Sequence, residues 1–245
     1  MNAPEPLPNA AVPDPDDPIT VLKGHVAAMS DLAVVMVQDG TRALLSNDKP
    51  LADSVVARDS PLDRFDVAIE TESMRLIATL QPEGEDLRTI GAVLKIANCV
   101  DRVGRLGFDM ARNLTSAPEP ADPLPASLLR QMEEKGRAMV QQSIRAFLRE
   151  DAPLAKSVFA LDDDVDELYD QLENRVFSLL QKGGPSTERL AHYLLAGRHL
   201  ERVGDNACKI AEKAVYAITG ERRPEYFPAL AHRATSGVRP TGHAH

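Results

Sequence analysis

Aromatic residues are scarce in this chain: Phe, Tyr and Trp together make up 4% of 245 residues, and Trp is absent. Basic residues are outnumbered, 28 Lys and Arg against 37 Asp and Glu, for a formal net charge of −9. A nucleic-acid partner needs a basic face for its phosphates and flat rings for its bases, and the composition argues against both. Cysteine is nearly missing. Cys99 and Cys208 stand far apart with no CxxC spacing, and read as reduced, buried thiols of a cytosolic protein, not as a disulfide or ligand pair. No apolar run is read as reaching the roughly 18 residues of a membrane span. The N-terminus is acidic and Pro-rich, without the basic-then-apolar order of a secretory signal. The expectation is a cytoplasmic protein with no membrane insertion.

What the chain does contain is helical periodicity. Residues 1–17 combine prolines and acids, a composition that offers too little apolar surface to offset ordering, so a disordered tail is expected. Asp17 before Pro18 is a helix start. Ile19, Leu22, Val26, Met29, Ala33, Met36, Gly40 and Ala43 alternate spacings of three and four, the seam of a helix bundle. Asn47-Asp48-Lys49-Pro50 breaks that pattern. A second run from Leu51 to Leu80 tolerates Pro61 as a kink. Gln81-Pro82-Glu83-Gly84 turns the chain into a third helix, Glu85 to Leu114, and 115–123 reads as a linker.

The pattern then repeats. Met36-Val37-Gln38, Arg42-Ala43 and Pro50-Leu51-Ala52 return 103 positions later as Met139-Val140-Gln141, Arg145-Ala146 and Pro153-Leu154-Ala155. Asp101-Arg102-Val103-Gly104 returns as Glu201-Arg202-Val203-Gly204 at an offset of 100, which fits a longer first hairpin. Leu154, Val158, Leu161, Val165, Leu168, Leu172, Val176 and Leu179 keep helical spacing throughout, and no segment alternates with a period of two. The predicted fold is all-α: two tandem antiparallel three-helix bundles, 18–114 and 124–220, related by internal duplication, with a mobile tail over 221–245.

Carboxylates mark one height in each bundle. Glu201 and Asp205 are four apart, as are Asp162 and Asp166, so each pair shares one face of its helix. Facing residues in an antiparallel hairpin have a constant sum of sequence numbers. Asp162 with Asp205 and Asp166 with Glu201 share one centre, the Gly183-Gly184 turn. Four carboxylates therefore meet on neighbouring helices, an oxygen-rich set suited to Mg, Mn, Ca or oxidised iron. In the first copy Asp59, Asp63, Asp101 and Arg105 take the matching places, centred on Pro82. Arg105 faces Asp59 and can stand in for a cation, so metal binding by Asp59, Asp63 and Asp101 is expected to be weakened or lost. A purely structural reading stays open, in which Arg198 with Glu201 and Lys209 with Asp205 form ordinary ion pairs along the helix.

At these residues the chain resembles the PhoU family, the phosphate-specific transport system accessory proteins. The family's two three-helix units each carry an E/D-x-x-x-D motif within a segment similar to LERIGDxAxxI. Residues 200–210 read LERVGDNACKI, and 100–105 read VDRVGR, departing at Arg105. Residues 81–88, QPEGEDLR, resemble the family's QPxxxDLR turn, for which helix capping by first-turn acids and partner contact are both open. The resemblance implies a non-catalytic cytosolic regulator, often a homodimer. Such a protein would join the ATPase of the phosphate ABC transporter to a phosphate-sensing histidine kinase and repress the starvation response. Metal ions, iron or zinc in some members and manganese or magnesium by donor chemistry, would sit on the carboxylate motifs. A competing di-metal carboxylate enzyme needs Glu-x-x-His pairs, but His25, His192 and His199 follow Leu22, Arg189 and Ala196 at that spacing. A metal-free helical scaffold is the third reading.

Overall fold

The computed structural model describes residues 17–221. Helix α1, Pro18–Ser46, starts where proline pre-sets the first turn and the Asp17 side chain accepts from the Thr20 backbone N–H at 2.8 Å. It ends at Asn47, whose φ of 52° gives a left-handed cap. Asp48 then caps α2, Lys49–Val56, by accepting from the Leu51 N–H. Helix α3 is Asp59–Leu80 and α4 is Gly84–Arg112. The second copy runs α5, Leu124–Leu148, α6, Ala152–Ser157, α7, Phe159–Leu180, and α8, Thr187–Thr219. Among the described residues there is no strand. The expectations for residues 1–16 and 222–245 lie outside the described residues.

The duplication extends to single hydrogen bonds. Glu150, 103 positions after Asn47, also has positive φ, 55°. Asp151 caps α6 through the Leu154 N–H as Asp48 caps α2. Ser157 donates to the Leu154 carbonyl as Ser54 does to Leu51.

The predicted middle helix is divided in each copy, and this corrects the expected kink at Pro61. The break falls at Ala57-Arg58, and Pro61 sits in the first turn of α3. A helix's first N–H groups have no partner within it, so proline there forfeits nothing and sets a start. The second copy is also broken, at Val158, a few residues earlier in the repeat and without a proline.

Four long helices make the centre. Helix α1 packs on α4, α5 on α8, α4 on α8 and α1 on α5, so the two copies share one core. Helix α3 covers α1 and α4, and α7 covers α5 and α8. Met29, Ile96, Val103, Met139, Leu200 and Val203 are fully buried, each such large side chain contributing about 1.5–3 kcal/mol of transfer free energy. Helix α1 is long and apolar enough to cross a membrane by length and composition, contrary to the expectation that no stretch qualifies. Its Leu22, Val26, Met29, Ala33 and Met36 are instead wholly buried against neighbouring helices, because a helix at the centre of a bundle needs the same apolar content as one in lipid.

Two packing details separate the copies. A Cβ at Gly40 or Gly107 would collide with the facing backbone of Gly107 or Met36, so α1 and α4 touch main chain to main chain. Ser143 and Ala207 stand at the equivalent positions of α5 and α8. The hairpins also differ: α3 and α4 turn over 81–83, whereas α7 and α8, each about one turn shorter beyond the carboxylates, are joined over 181–186.

The linker is strapped to α8. Arg189, 5% exposed, donates to the Ala117 carbonyl at 2.7 Å, to Glu119 at 2.7 Å and to the Thr115 carbonyl at 3.2 Å. Tyr193 donates to Glu119 at 2.8 Å, and burial together with that bond pushes its pKa up to about 12. Arg175 pairs with Asp122, which also accepts from the Leu124 N–H at the start of α5.

Candidate functional site

In the first copy the carboxylates close on one guanidinium. Arg105 on α4 donates through Nε to Asp101 at 2.9 Å, through Nη1 to Asp59 at 3.1 Å and through Nη2 to Asp63 at 2.5 Å. The hairpin register places Arg105 opposite Asp59; the other two contacts follow because a five-donor fork one turn from Asp101 spans both acids of α3. The Asp101 hydrogen bond, followed by attraction to the surrounding aspartates, raises the Arg105 pKa. Asp66, three residues beyond Asp63, was not singled out from sequence. Its carboxyl is pushed up by burial and then by Asp101, Glu70 and Asp63, so the cluster carries more negative charge than one guanidinium balances.

In the second copy the same heights are arranged differently. Asp162 is 4% exposed and Glu201 3%, whereas Asp166 and Asp205 are half-buried. Asp162 Oδ1 lies 3.0 Å from where a Cβ of Gly204 would be, so the glycine's missing side chain is the notch that admits the carboxylate. The equivalent notch in the first copy, at Gly104, is filled by Leu62, whose Cδ2 lies 2.5 Å from the corresponding point. An apolar methyl on one side and a carboxylate on the other set the two copies apart.

Cys208 belongs to this cluster, although the sequence shows it only as a buried thiol. It hydrogen-bonds Asp162; burial first, then the negative charges of Asp162, Asp205 and Asp166, push its pKa far upward. The thiol therefore stays protonated and a donor. Its place one turn after Gly204 on α8 was the available signal. Glu201 pairs with Arg198 at 2.9 Å, the intrahelical bridge that sequence spacing allows.

The charges of Asp162, Asp205 and Asp166 all bear on the Cys208 thiol, with Glu201 one turn from Asp205 on α8. Among the described residues no three His, Cys, Asp or Glu side chains are grouped tightly enough to hold a metal ion. Carboxylate oxygens are the donors a hard cation takes, so the second copy's residues suit one by chemistry. The first copy does not fit, because a guanidinium holds its centre.

The repeated bundle and its paired motifs match a known domain model, the PhoU domain, twice, over residues 26–114 and 129–214. The chain belongs to the PhoU family. It is 33% identical over 212 residues to the phosphate-specific transport system accessory protein PhoU homolog of Caulobacter vibrioides, covering 85% of this chain and 91% of that protein. It is 36% identical over 201 residues to the homolog of Aquifex aeolicus, covering 81% and 90%. Among solved structures, PhoU from Pseudomonas aeruginosa superposes with a TM-score of 0.76 at 28% identity, covering 83% of this chain and 98% of that one. The PhoU-like turn at 81–88 has a structural role here: Arg88 Nε lies 3.5 Å from where a Cβ of Gly220 would be, placing a cation at the C-terminal end of α8, where the helix dipole favours it.

Proposed function

We propose that this PhoU-family chain is a non-catalytic accessory protein of a phosphate-specific transport system. It works in the cytoplasm as a homodimer, joins the transporter's ATPase subunit to a phosphate-sensing histidine kinase, and represses the phosphate-starvation response. The observation that carries this reading is the identity, above 30%, to accessory proteins matched over nine-tenths of their own length. The helical faces support it, since α3 and α7 lie outermost on the two copies and are long enough for an interface of about 800 Å² per partner. The proposal includes cation binding on the second copy by Asp162, Asp166, Glu201 and Asp205, with iron, zinc, manganese or magnesium as the candidates. Oxygen donors favour the harder of these ions.

Deletion of the gene tests the regulatory role. Phosphate-responsive genes should become active in phosphate-rich medium, and a pull-down with the full chain should recover the ATPase or the kinase. Normal repression with neither partner recovered would reject the adaptor. A metal-free helical scaffold is the reading left in that case.

A further inference from the structure

The two copies present the same helix faces at the same height, and in the first a side chain draws the carboxylates together. Arg105 bonds Asp59, Asp63 and Asp101 at 3.1, 2.5 and 2.9 Å, linking α3 to α4 across the hairpin. A cation bound by these residues would make the same link. The guanidinium is the chain's own and is always charged. At the equivalent position of the second copy stands Asp205, and there Asp162 lies in the notch at Gly204.

We infer that Arg105 is a tethered cation that makes the first copy a permanently closed, ion-independent brace, so that any response of the protein to divalent cations is confined to the second copy. The inference rests on reading the second copy as the ion-binding one. It adds that a single side chain converts an ion-responsive hairpin into a constitutive one. The salt link is about half exposed, with 45% of the Arg105 side chain accessible. Its loss should therefore weaken the hairpin without unfolding it.

The test uses the full-length, untagged chain and manganese(II), with binding followed by equilibrium dialysis and stability by thermal melting. Arg105→Asp, which completes a four-carboxylate set, should add one bound manganese per chain to whatever the unaltered protein binds. The same gain should appear in a Glu201→Ala/Asp205→Ala background, where the second copy is disabled. Arg105→Ala should lower the melting temperature by about 2–4 °C in the absence of metal, the shift expected for roughly 1 kcal/mol in a chain of this size, and manganese should restore it. No gain in manganese on Arg105→Asp in either background, or a melting loss in Arg105→Ala that manganese leaves untouched, would overturn the inference. If the unaltered chain binds no manganese but Arg105→Asp binds one, the tethered-cation inference stands and the ion-binding reading of the second copy falls.

Discussion

The first copy is closed by a guanidinium and by facing glycines, and the second carries other residues at those places. Between α1 and α4, Gly40 and Gly107 let the backbones touch, Leu62 fills the notch at Gly104, and Arg105 ties three aspartates. Between α5 and α8, Ser143 and Ala207 stand where those glycines were, and Asp162 occupies the notch at Gly204. One duplicated framework thus supports a guanidinium brace on one side and a partly buried acidic cluster on the other. Asp162 is 4% exposed, and its charge helps to push the pKa of the Cys208 thiol upward.

The largest break in that comparison should come from Gly107→Ala. Its Cβ would meet the Met36 main chain, which cannot turn aside as a side chain can, and the cost should be about 3 kcal/mol. Urea melts should show it, while Ala207→Gly, at the equivalent place in the looser copy, should cost no more than about 1 kcal/mol. Equal losses would mean that the copies are packed alike.

Arg189→Ala comes next. It strips the linker of three hydrogen bonds and leaves Glu119 without its cation, at about 2 kcal/mol. Limited proteolysis should then cut within 115–123 faster than in the unaltered chain. An unchanged cleavage rate would show that the strap is held elsewhere.

Ion binding sharpens the comparison at its centre. Glu201→Ala/Asp205→Ala should remove most metal from protein purified without a tag, and Asp101→Ala should remove little, as read by elemental analysis. Equal loss from both would sink the asymmetry. Gly204→Ala should act in the same direction by crowding Asp162 Oδ1, whereas Gly104→Ala, which crowds only the end of Leu62, should leave metal content unchanged.

The smallest effect expected is at Asp66. Its pKa is raised, by burial and then by Asp101, Glu70 and Asp63, so the folded state keeps its proton to higher pH than the unfolded chain. Stability is then lost as pH rises from the ordinary value of 3.8 through the raised one. Asp66→Asn should melt about 1 °C higher at pH 7, a surface-scale effect, and match the unaltered protein below about pH 3.8. A lower melting temperature at pH 7 would mean that Asp66 shares Arg105 after all.

Much of this was legible along the chain. Apolar spacing gave every long helix, since a bundle buries one stripe per helix and the stripe repeats with the helical period. The offset motifs gave the duplication, and the constant sum across each hairpin placed Arg105 opposite Asp59, because two antiparallel helices joined by a tight turn have little freedom of register. Pro61 misled, because a proline's effect depends on whether it falls inside a helix or in its first turn, and the break that decides this also occurs at Val158 without one.

What the sequence determined by itself was therefore periodic or local: helices, caps, repeats and the height at which charges gather. The tertiary structure alone decided which of those charges is buried. Asp59 and Asp162 are equivalent in sequence, yet one is held out by a guanidinium and the other enters a glycine notch beside a thiol. That choice depends on whether Leu62 or a carboxylate fills the space next to a glycine one helix away, and on a cysteine read as ordinary core. Desolvation and hydrogen bonding act through space at a few ångströms, and no spacing along a chain encodes which neighbour will be there.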